Sequence, residues 1–132
     1  MKLLIVAWIQ IYSSFFGVDP YLVEAIVQQE SMYNANATGA ASEVGLMQIK
    51  REYLDFPDEY YNPRLNLFVG VKRLSELKRL RSKLGQNWFC AWNLGPTGAL
   101  RLHREGTLSK FKYCRQVRLR KEKLQRNKIS KY

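Results

Sequence analysis

Along this chain apolar residues recur mainly at intervals of three and four, the spacing of one helix face, and rarely alternate as in a half-buried strand. A first helix is expected from the apolar start, with Leu4, Trp8, Ile11 and Phe15 forming its inward face. Asp19-Pro20 is a helix entry, Asp as N-cap and Pro at the first helical position, where its missing N–H costs nothing. The helix that follows puts Leu22, Val23, Ile26 and Val27 on one side and is expected to end near Asn34 to Asn36. A small-residue loop, 35–42, leads to Gly45-Leu46-Met47-Gln48-Ile49, read as a short helix. Asn62-Pro63 repeats the cap-and-proline entry. Leu67, Val71, Leu74, Leu77, Leu80 and Leu84 then make a long helical stripe that Gly85 should stop. Trp88 to Asn93 reads as another short helix, broken by Gly95-Pro96, and Thr97 to Arg104 as one more, ended by Gly106. Ser109 is placed to cap a last, basic helix. The expectation is a single domain, all-α or mostly α.

Composition narrows this picture. The 132 residues suit one domain, and 46% hydrophobic with 13% aromatic residues exclude a disordered or low-complexity chain. The net charge of +11 calls for an anionic partner, but it is unevenly placed. Residues 1–109 carry 12 basic and 10 acidic side chains, whereas 110–132 carry 10 basic and one acidic. A body nearly balanced in charge is thus followed by a basic segment, either a solvated helix face or a binding surface. Met1-Lys2 before Leu3 to Ile9 resembles the front of a signal peptide, yet no small-x-small cleavage site follows. Seven apolar residues are far short of the roughly 20 a membrane span needs. A retained domain helix is the favoured reading. Cys90 and Cys114 lack metal spacing and could pair or stay as buried thiols, and His103 stands alone, so no metal site is expected.

Glu30 is the chemically interesting residue. It lies seven positions after Val23, four after Ile26 and three after Val27, on the same face as these apolar side chains. Partial desolvation there raises a carboxyl pKa, which is what a general acid near neutral pH needs. Ser31 is placed to orient the carboxyl group, Gly45 permits close backbone approach, and Gln48 offers both donor and acceptor. Trp88, Trp92 and Tyr113 are candidate linings of a carbohydrate groove, against the plainer reading of aromatics as core.

Gly17-Val18-Asp19-Pro20, Gln29-Glu30-Ser31, Asn34-Ala35-Asn36-Ala37, Gly45-Leu46-Met47-Gln48-Ile49 and Ala91-Trp92-Asn93-Leu94-Gly95-Pro96 occur in that order. Together they resemble the catalytic domain of soluble lytic transglycosylases, a lysozyme-like, mostly α fold related to goose-type lysozyme. The likeness runs from about Ile11 to Val117, which frames a catalytic domain at 1–117 and a basic helix or tail at 118–132. The resemblance implies cleavage of bacterial peptidoglycan with Glu30 as catalytic acid. It implies substrate contacts from Ser31, Gly45, Met47, Gln48, Trp92 (in place of the family's tyrosine), Asn93 and Tyr113, with no metal or other cofactor. Two positions depart from the family pattern: Gly39 stands where a serine is usual, and Glu43 where a small residue is usual.

The implied chemistry uses one carboxyl group. Glu30 would protonate the glycosidic oxygen between N-acetylmuramic acid and N-acetylglucosamine, with the substrate's N-acetyl group stabilising the cationic centre. Glu30 would then take the proton of the muramoyl C6 hydroxyl as a 1,6-anhydro ring closes, outside the two-carboxylate scheme. The rival is a hydrolase of goose-lysozyme type, with Glu43 or Asp55 positioning water. A non-catalytic module for cell wall or nucleic acid is the third reading, although no nucleic-acid-binding signature accompanies the basic segment. The expected partner is the glycan strand, with weak anionic-surface contact through the basic segment. The chain is expected to act alone or within a virion or secretion assembly. Action is expected at the bacterial wall in the periplasm, with delivery by a bacteriophage particle or at lysis ahead of export by signal peptide.

Overall fold

The computed structural model describes residues 1–130. Its helices are α1 (Lys2–Phe16), α2 (Pro20–Ser31), α3 (Pro63–Leu77), α4 (Arg81–Leu84), α5 (Ala91–Arg104) and α6 (Lys112–Ser130), joined in places by 3₁₀ turns. Among the described residues, extended pairing is confined to isolated bridges, Thr38 with Val44 and Val44 with Ile49. The mostly α expectation therefore holds. None of these helices is long and apolar enough to cross a membrane.

Both cap-and-proline entries form as read. The Asp19 carboxylate accepts from the Tyr21 amide, and Asn62 Oδ1 accepts from the amides of Arg64 and Leu65. Each cap satisfies backbone donors that a helix start otherwise leaves unpaired. α2 is the central element, packed against both α6 and α1, while α1 also packs on α3. Leu22, Val23, Ile26 and Val27 are buried in the core, joined there by Leu67, Val71 and Leu74 of α3.

Several boundaries differ from expectation. The apolar face of α1 is turned by about a third of a turn: Ile5 and Ile9 are buried, while Leu4, Ile11 and Phe15 are exposed. Helical periodicity holds on both sides of this helix, so spacing alone does not choose the inward one. α2 ends at Ser31, earlier than Asn34, because Met32 and Tyr33 both take positive φ, a left-handed turn that stops the helix. The 45–49 segment is a tight turn instead of a short helix. Gly45 and Gln48 have φ of 73° and 52°, and Val44 and Ile49 exchange backbone hydrogen bonds across it. The stripe of α3 continues to Leu84, but through a 3₁₀ turn at Lys78–Leu80 and the short α4. Gly85 stops it as expected, with φ of 63°. The segment before α5 is a 3₁₀ turn, Gly85–Cys90, and the break at Gly95 is present within α5. Ser109 caps nothing, since it sits in a 3₁₀ turn, Leu108–Lys110, ahead of α6.

Cys90 and Cys114 are bonded to each other, with Cα atoms 5.4 Å apart. The pair joins the start of α5 to the start of α6. The boundary drawn between 117 and 118 falls inside α6, which runs on without a break.

Candidate active site

The C-terminal end of α2 delivers Glu30 to a surface cleft. Its walls come from the 43–53 segment (Glu43, Gln48, Ile49, Lys50, Tyr53), from Arg73 and Leu77 of α3, and from Ala91, Trp92, Asn93, Gly95 and Pro96 of α5. α6 contributes from below: the buried Tyr113 hydroxyl donates to Glu30 Oε2 at 3.0 Å.

This setting puts the Glu30 pKa up at about 7. Burial is the largest cause, because a desolvated carboxylate is disfavoured against its neutral form. The Tyr113 hydrogen bond pulls the other way by favouring the anion, and the charge of Glu43 pushes in the same direction as burial. Tyr113 is itself held well above the ordinary tyrosine range by burial and by Glu30. Glu30 is therefore a carboxyl group shared between both protonation states near neutrality, the condition for giving and then taking a proton.

The loop opposite Glu30 is held by one buried side chain that sequence reading did not single out. Asn66 Oδ1 accepts from the Met47 amide at 2.9 Å, and its Nδ2 donates to the carbonyls of Val44 at 2.8 Å and Tyr60 at 2.9 Å. Gly45 lies against it, and a Cβ there would stand 2.5 Å from Asn66 Nδ2 and 2.8 Å from the Tyr60 carbonyl oxygen. Its φ of 73° also suits glycine. Gln48 donates through Nε2 to the carbonyls of Ala37 and Gly45, which fixes the side chain in the cleft wall.

The eight site residues proposed from sequence divide cleanly. Glu30, Gln48, Trp92 and Asn93 line the cleft, and Tyr113 reaches Glu30 from the core. Trp92 is oriented by its Nε1, which donates to the Met47 carbonyl at 3.1 Å. Ser31 does not touch the Glu30 carboxyl group. Its hydroxyl donates to the carbonyls of Val27 and Leu46, tying the end of α2 to the loop. Gly45 and Met47 are buried beneath the wall, Met47 fully, so neither presents a side chain to the cleft. Trp88 is core, and Asp55 lies outside the cleft, its carboxylate held by Tyr60 and the Phe56 amide. Tyr53 and Arg73 were missed, and they form a stacked pair on the cleft wall with the guanidinium 3.7 Å from the ring centroid. They come from separate elements, with no local spacing to mark them.

The comparisons with known proteins fit this geometry. A curated relative, the membrane-bound lytic murein transglycosylase E of Buchnera aphidicola subsp. Baizongia pistaciae (strain Bp), is 30% identical over 83 residues. The match covers 53% of this chain and 39% of that protein, so the chain spans about two fifths of its length. Residues 7–106 match the transglycosylase SLT domain, a span that runs from within α1 to just past α5 and contains every cleft-lining residue named above, with Tyr113 beyond it. The chain belongs to the transglycosylase SLT domain family.

Proposed function

We propose that this chain is a peptidoglycan lytic transglycosylase in which Glu30 serves in turn as acid and base. The observation that carries the reading is the Glu30 carboxyl group at the cleft floor, with its pKa raised to about 7 beside the Tyr113 hydroxyl. A protonated Glu30 donates to the glycosidic oxygen between N-acetylmuramic acid and N-acetylglucosamine as the bond to the muramoyl anomeric carbon breaks. The substrate N-acetyl group stabilises the cationic carbon, and Glu30, now ionised, takes the C6 hydroxyl proton while that oxygen closes the 1,6-anhydro ring. Proton count is conserved, and the enzyme returns to its starting state.

The remaining cleft residues suit a glycan strand. Trp92 and Tyr53 offer faces for sugar rings, and Asn93, Gln48 and Arg73 offer polar groups for hydroxyls and N-acetyl substituents. The raised pKa of a desolvated carboxyl group in a cleft favours catalysis over passive binding. Local opening of the bacterial wall from the periplasmic side, by a particle-borne or lysis-released enzyme, is the biological setting we favour. The basic C-terminal segment adds weak contact with anionic surfaces.

The test is Glu30→Gln, which keeps shape and removes the titrating proton. Turnover of purified sacculi should fall by at least about 10³-fold, the scale of general acid catalysis, with the helical circular dichroism unchanged. Retained lysis in that variant would remove Glu30 from the role.

A further inference from the structure

Two cations in the cleft, Lys50 and Arg73, are left without a protein counter-charge among the described residues. Lys50 and Tyr53 bracket one short 3₁₀ turn, Arg51–Tyr53, and Arg73 meets that turn from α3. Arg73 stands two positions after Val71 and one before Leu74, both fully buried, and four before Leu77, its neighbour in the cleft wall. Helix geometry thus sets it, half-buried, at the edge of the core stripe where α3 borders the cleft. Its guanidinium rests 3.7 Å from the centre of the Tyr53 ring. Stacking engages the face of a guanidinium and leaves its N–H donors on the edge. Among the described residues none of those donors meets a protein acceptor. Arg51, on the same turn, is the contrast: its donors go to the Ser42 carbonyl, Asp58 and the Tyr61 hydroxyl. Glu43 lines the same cleft, but it accepts from the Ala41 amide and pairs with neither cation.

A guanidinium held by its face, with a bare edge in a substrate cleft, is a receptor for a planar anion. We propose that Arg73, oriented by Tyr53 and aided by the charge of Lys50, binds a carboxylate on the lactyl branch of a muramoyl residue. The cleft is thereby selective for anionic glycan strands. This deepens the proposed wall-cleaving function and rests on it. Peptidoglycan supplies such a carboxylate in two forms: the lactyl group itself where a strand is stripped of peptide, and the stem peptide where it is not. Either one can take two parallel N–H bonds from a single arginine. Lys50 adds charge without fixed geometry, as a hydrated ammonium on a flexible stem. The two cations also offset Glu43, whose charge in the same cleft repels an incoming anion. Tyr53 is a positioning residue here. It gives one ring face to Arg73 and limits the rotamers through which that long side chain would otherwise range.

The experiment compares cleavage of three solubilised strand preparations by the whole chain. One keeps its stem peptides, one is stripped of them by an amidase, and one is stripped and then has its lactyl carboxylates converted to neutral methylamides. Wild type should show a KM about tenfold lower on the preparation carrying the recognised carboxylate than on the methylamide strands, the scale of a charge-assisted hydrogen-bond pair. Preference for stripped strands assigns the lactyl carboxylate, and preference for stem-bearing strands assigns the stem. Arg73→Gln should erase the preference, with a larger change in KM than in kcat. Arg73→Lys, which keeps the charge but not the fork, should restore only part of it. Tyr53→Leu should raise KM more on the preferred strands than on the neutral ones. Equal KM on charged and neutral strands for wild type overturns the carboxylate site while leaving the transglycosylase reading in place. So does an Arg73→Gln variant that keeps the preference or weakens all three preparations alike. Cleavage of none of the three by wild type overturns both.

Discussion

A carboxyl group whose pKa rises to about 7 on folding binds a proton more tightly in the native state than in the unfolded chain, where its value is near 4.5. Between those values the native state holds more protons, so stability falls as pH rises through this window. Below about pH 4 both states are protonated and the penalty vanishes; above about pH 7 it is complete. Glu30→Gln should therefore be more stable than wild type at pH 8, on the order of 2 kcal/mol, and equal to it near pH 4. Thermal melts at the two pH values check this, and a variant less stable than wild type at pH 8 would contradict it. The place of Glu30 beside the apolar face of α2 was readable from sequence, because helix spacing sets it next to Val23, Ile26 and Val27. Ser31 was misread because adjacency in sequence says nothing of where a hydroxyl points, and this one satisfies two carbonyls. The partner of Glu30 is 83 residues away, a distance that only the family resemblance, not spacing, bridged to Tyr113.

At the level of elements, the cleft depends on a loop with almost no regular structure of its own. Asn66, reaching out of α3, satisfies one amide and two carbonyls of the segments around it. Asn66→Ala would leave these backbone groups unpaired in a buried setting, at a cost of about 3 kcal/mol. Chemical denaturation should show that loss with little change in slope, and a loss below about 1 kcal/mol would mean that the loop holds itself. Helix entries at Asp19 and Asn62 were legible because a cap is a local chemical event spelled out in adjacent residues. The turn at 45–49 was not: Leu46, Met47 and Ile49 look like a helix face until the positive φ of Gln48 is known. The inward side of α1 was hidden for a related reason, since apolar residues lie on both of its faces.

Across the whole molecule, charge and chemistry are kept apart. Most of the +11 lies in residues 110–132, the segment that contains α6, while the cleft takes Glu30 from α2 and its walls mainly from α3, α5 and the intervening loop. α6 is nevertheless part of the fold. It packs along α2, where Gln116 and Arg120 both bond the side chain of Gln29, the neighbour of Glu30. Composition could locate the basic segment but not this second duty, because Tyr113 and Gln116 are ordinary residues in a run of lysines and arginines. The central claim is that Glu30 drives ring closure on muramoyl residues. Its most direct test is the mass of the products released from purified sacculi by the wild-type chain. The account predicts that most new muramoyl ends are 1,6-anhydro, one water lighter than a reducing end. Products carrying reducing ends alone would contradict it.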